Sequence, residues 1–143
     1  MLPNGLRLHL AHDPAASRAA AWLRVAAGSH DEPSAHPGLA HFLEHLSFLG
    51  GAAFPGDERL MPWLQVRGGQ VNASTRGRTT DYFFEVTAEH LGAGLARLID
   101  MLARPLLDID AQRREREVLE AEYLARSADE QTLIDAALAL GLP

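Results

Sequence analysis

Apolar and polar residues alternate strictly through Leu6-Arg7-Leu8-His9-Leu10, the period-two pattern of a half-buried strand, between an Asn4-Gly5 turn and an Asp13-Pro14 break. The run 19–27, with Trp22, Leu23 and Val25, is mostly apolar and reads as a second, more central strand. Residues 28–37 are rich in Ser, Asp, Pro and His and form a loop. The period then changes. Leu39, Phe42, Leu43, Leu46 and Leu49 fall three and four apart, which predicts a helix over 38–49 closed by Gly50-Gly51. A second helix is expected over 57–66, with Met61-Pro62 near its middle predicting a kink or an early break, and with Gly68-Gly69 at its end. Residues 71–75 and 82–87 form an antiparallel hairpin around the polar turn 76–80. A helix over 91–102 stops before Pro105, and one over 110–125 starts at Asp110 as its cap. From Gln131 to Leu140 the pattern is again helical and ends on Gly141-Leu142-Pro143.

The resulting order, β-β-α-α-β-β-α-α, has no internal repeat. It predicts the α+β class, an antiparallel or mixed sheet with helices packed on one face. The 143 residues are the size of one domain, and 47% hydrophobic content suffices for a core. A helix that stops at a Gly and a Pro is how a chain passes to a further element, so residues 1–143 are expected to be the N-terminal piece of a longer protein.

Charge and cysteine narrow the function. A formal charge of −6 argues against nucleic-acid and anionic-membrane partners, which need basic surfaces. Arg113, Arg114 and Arg116 read as solvated salt-bridge partners on a helix. The absence of cysteine excludes disulfides, thiolate zinc sites and a cysteine nucleophile. No apolar run matches a signal peptide or membrane helix, and a cytoplasmic location is expected.

The chemistry sits in His41-Phe42-Leu43-Glu44-His45, an HxxEH pattern on a predicted helix. Residues four apart lie one turn up on the same face, so both imidazoles can point at one ion. Glu44, three residues after His41, shares that face and can take a proton from a metal-activated water without binding the metal. A site with an open position needs a third protein ligand. The helix over 110–125 offers Glu115, Glu117, Glu120 and Glu122, and pattern alone does not choose among them. His9, His12, His30, His36 and His90 read as surface or capping residues, and Trp22 and Trp63 as core.

HFLEH within PGLAHFLEHLSFLGG, followed by GGQVNASTRGRTTDYFFEV and EREVLEAEY, resembles the pitrilysin or insulinase family of zinc peptidases over nearly the whole chain. The resemblance implies His41, His45 and Glu122 as ligands of Zn2+, with 76 residues intervening between the second histidine and the third ligand, and Glu44 as catalytic base. It matches Glu115 to an accessory acidic residue that orients the site, and Asn72, Ala73 and Thr75 to an edge strand that binds the peptide substrate by backbone pairing. His-His-Glu ligation also accepts manganese or cobalt. Within the family, LPNGLRLHLAHD and NASTRGRTTDYFFEV are similar to a bacterial branch that processes the small precursor peptide of a redox cofactor. Alternatives are a general oligopeptide-degrading peptidase or a non-catalytic scaffold subunit. The family's further α+β domains, or a partner subunit, are expected partners needed for efficient catalysis.

Overall fold

The computed structural model describes residues 1–127, Asp129 and Ile134. Its elements run β1 (Arg18–Val25), α1 (Leu39–Ser47), α2 (Leu60–Gln65), β2 (Gln70–Thr75), β3 (Thr80–Thr87), α3 (Leu91–Ala103) and α4 (Ile109–Ser127), with short 3₁₀ turns between some of them. The three strands make one antiparallel sheet in the order β1-β3-β2. The α+β class and the antiparallel sheet agree with the pattern. The helix expected over 131–140 lies outside the described residues.

Period-two alternation sorts the sheet into two faces. Tyr82, Phe84 and Val86 of β3 point inward with Ala21, Leu23, Val71 and Ala73. They pack on Leu60, Trp63 and Leu64 of α2 and on Leu98 and Met101 of α3. The opposite face carries Trp22, Phe83 and two cross-strand ion pairs, Arg18–Glu85 and Arg24–Asp81.

Four expectations need correction. Residues 6–10 form no strand: Leu6, Leu8 and Leu10 are exposed, and no neighbouring strand among the described residues offers the segment a ladder. Alternation marks a chain ready to pair, and pairing still needs an edge. The strand in 19–27 is peripheral and β3 is central. Trp22 is 67% exposed rather than core, its ring covered by the Arg24 guanidinium at 5.1 Å, whereas Trp63 is buried as expected. Finally, α4 is capped by Asp108, whose Oδ1 accepts from Ala111 N at 2.8 Å, while Asp110 pairs with Arg113.

Pro62 produces no kink. Arg59 is extended, so α2 begins at Leu60 and Pro62 falls in the first turn, where its missing N–H costs no helical bond.

Candidate metal centre

Helix α1 is held at both ends. Gly38 enters it in the left-handed region, φ 88°, and the Glu32 carboxylate accepts from the N–H groups of Gly38 and Ala40 at 2.7 and 2.8 Å. That carboxylate satisfies orphan donors at the positive end of the helix dipole. Gly50, φ 102°, ends the helix. Leu46 and Ser47 are buried, and His41 and His45 emerge half-buried on the side that meets α4.

Across the gap, α4 presents Glu122. Its Oε2 lies 3.9 Å from His41 Nε2 and its Oε1 lies 3.9 Å from His45 Nε2. The ligand atoms of His41, His45 and Glu122 all fall within 4.8 Å of one another. Two donors bound at about 2.0–2.1 Å to one tetrahedral zinc stand about 3.3 Å apart, so the spacing is too wide for direct hydrogen bonds and suits donors that share an ion. Two neutral imidazoles and one carboxylate are also the donor set of an open zinc site. The residues fit a zinc ion.

The other predicted residues surround this group. Glu115 Oε2 lies 3.2 Å from His45 Nδ1, the nitrogen turned away from the gap, and can fix the ring so that Nε2 faces inward. Glu115 and Glu122 are half-buried against α1, whereas Glu117 and Glu120 are exposed. Glu44 is only 7% exposed and accepts a hydrogen bond on Oε2 from Thr75 Oγ1 at 2.5 Å. β2 lies beside α1, and its second edge is unpaired among the described residues. On that strand Asn72 points to the open face and its Oδ1 accepts from Ala73 N at 2.9 Å.

Sequence reasoning missed a polar layer beneath Glu44. Ser47 Oγ donates to Leu43 O at 2.8 Å and stands 3.4 Å from the Tyr82 hydroxyl. Burial, with a smaller effect from the nearby Glu44 charge, pushes the Tyr82 hydroxyl above its ordinary pKa, so it stays protonated. The available signal was parity: Tyr82 shares the inward face with Phe84 and Val86. Glu32 as the α1 cap was also missed, because it lies six residues before Gly38, outside any local capping pattern.

With this geometry established, comparison with known proteins is informative. The family model for insulinase, peptidase family M16, matches residues 7–140. The chain is 98% identical over 143 residues to coenzyme PQQ synthesis protein F of Pseudomonas aeruginosa, covering all of this chain and 18% of that protein. It is 61% identical over 126 residues to the protein of the same name from Pseudomonas putida, covering 88% of this chain and 16% of that one. The crystal structure of pitrilysin superposes with a TM-score of 0.75 at 40% identity, over 82% of this chain and 13% of that chain. The chain therefore spans less than a fifth of the length of these relatives.

Proposed function

The chain belongs to the insulinase family, peptidase family M16, and on that premise we propose that it carries the catalytic metal centre of a zinc metalloendopeptidase. One observation carries the reading: His41, His45 and Glu122 converge from two helices, with Glu44 buried beside them and outside the ligand set. When bound, zinc supplies Lewis acidity and a water with a pKa near ~7.

The chain's own residues account for the rest. Nε2 of His41, Nε2 of His45 and the Glu122 carboxylate would hold the metal, and Glu115 keeps the His45 ring turned toward the gap between them. Glu44 takes the proton of the attacking water and returns it to the leaving amine. β2 aligns the substrate: a peptide pairs its backbone with the free edge at Asn72, Ala73 and Thr75, which brings one bond beside Glu44. Main-chain pairing makes little demand on side chains, so a peptide in extended form is the substrate class. The names of the Pseudomonas relatives support a role in coenzyme PQQ synthesis, and the substrate we propose there is a small precursor peptide. The domains beyond this segment in those relatives are the partners that would enclose it. Among the described residues no helix is long and apolar enough to cross a membrane.

The test is Glu44→Gln, made in the full-length Pseudomonas aeruginosa relative with this chain replacing its own corresponding residues. Zinc content should stay at the unmutated level while peptide hydrolysis falls by about 10²–10⁴-fold, the usual share of a general base. Unchanged hydrolysis would refute the assignment.

A further inference from the structure

We propose that Thr75 is a positioning residue whose hydroxyl fixes the carboxylate of Glu44. The inference rests on the reading of Glu44 as the proton acceptor. It starts from the contact in which Thr75 Oγ1 donates to Glu44 Oε2 at 2.5 Å.

A glutamate side chain has three rotatable bonds, and a proton acceptor works only from one narrow range of positions. Glu44 is also almost fully buried, where a carboxylate without a donor is costly. Thr75 answers both needs. A hydroxyl has one proton to give, and giving it to Oε2 sets the carboxylate plane and so fixes where Oε1 points.

The donor is itself held firmly. Thr75 is the last residue of β2, opposite Thr80 of β3, and the hairpin closes directly behind it with Arg76 N donating to Thr79 O at 2.8 Å. Its β-branched side chain has few χ1 options. Alternation along the strand sends Thr75 to the same face as Val71 and Ala73, toward α1, while Asn72 and Ser74 face the other way.

The consequence is a mechanical coupling. The strand that pairs with the peptide is the strand that holds the base, so scissile bond and carboxylate share one rigid frame. A hydroxyl supplied by a flexible loop would position the base without registering it against the substrate. Thr75 thus acts on turnover through Glu44, by a route separate from the backbone pairing of β2.

Three variants in the same full-length protein test this: Thr75→Val, which keeps the shape and removes the O–H, Thr75→Ser, which keeps the O–H, and Glu44→Gln. For Thr75→Val we expect kcat to fall by about 10- to 100-fold through misplacement of the base, with KM and zinc content near the unmutated values and a lower melting temperature from the buried carboxylate left without its donor. Thr75→Ser should restore most of the kcat, and a crystal structure of Thr75→Val should find the Glu44 carboxylate displaced or in more than one rotamer. Unchanged kcat in Thr75→Val, or a rise in KM with kcat intact, would overturn the inference, as would a Glu44 carboxylate that has not moved. If Glu44→Gln stays fully active, the reading of Glu44 itself fails. If Glu44→Gln is inactive while Thr75→Val is normal, only the role of Thr75 fails.

Discussion

Asp81 illustrates how single groups couple this fold to pH. Arg24 Nε and Nη2 donate to Asp81 Oδ1 and Oδ2 at 2.7 and 2.9 Å, a two-pronged pair between directly opposed positions of β1 and β3. These bonds hold the Asp81 carboxyl below its ordinary pKa, against the opposing effect of burial, with smaller help from the Trp22 side chain. They also account for the exposed Trp22, which lies under Arg24 as part of the same cluster. Since the folded value lies below the unfolded one, the pair contributes fully above the unfolded value of about 3.9 and loses its contribution as pH falls through the folded value. Asp81→Asn should therefore lower the urea midpoint at neutral pH, and its deficit should shrink as pH falls below the unfolded value of about 3.9. A deficit of constant size across that range would rule out this origin. At the same scale, HxxEH could be read directly from the sequence because its meaning lies within one helical turn. The contacts that complete the site, Thr75 with Glu44 and Glu115 with His45, span 31 and 70 residues and needed the fold to appear.

Between elements, the fit of α3 on the sheet depends on one missing side chain. A Cβ added at Gly94 would stand 2.7 Å from Cε2 and Cζ of Phe84, a ring buried at the centre of the core. Gly94→Ala gains up to about 1 kcal/mol of helix propensity, yet overpacking costs about 1–3 kcal/mol. The melting temperature should fall. Gly92→Ala is the control, since its Cβ would meet nothing within 4 Å, and it should be neutral or stabilising. Equal effects from the two substitutions would mean that α3 can shift to make room. The same distinction explains which elements could be read from sequence. Periodicity located α1, α3 and the β2–β3 hairpin, because each buries a face that its own residues define, whereas α4 is read from its cap and its density of charge. It misjudged residues 6–10 and the rank of β1, because pairing and centrality belong to neighbours. The α4 cap was misassigned by two residues because Asp108 and Asp110 are both plausible on pattern, and only the Ala111 hydrogen bond separates them.

Across the whole molecule, the apolar core is built by the sheet with α2 and α3, and α4 hardly shares in it. Among the described residues of α4 only Ala111 is buried, while Ile109, Val118, Tyr123 and Leu124 are largely exposed. Its meeting with α1 is instead polar, through Glu115 and Glu122 against His45 and His41. Metal bound between these groups would tie α4 to a helix more than 70 positions earlier in sequence, and ligand binding to the folded form adds about 2.7 kcal/mol at a hundredfold excess over Kd. That stabilisation should be local to the tie. With zinc replaced by chelator, amide exchange should accelerate most along α4, next in α1, and least in β3, whose bonds lie inside the core. Exchange that rises equally in β3 and α4 would mean that the metal supports the whole domain. Exchange unchanged in α4 would mean that other contacts already dock it, and that the two helices present a site formed before the metal arrives.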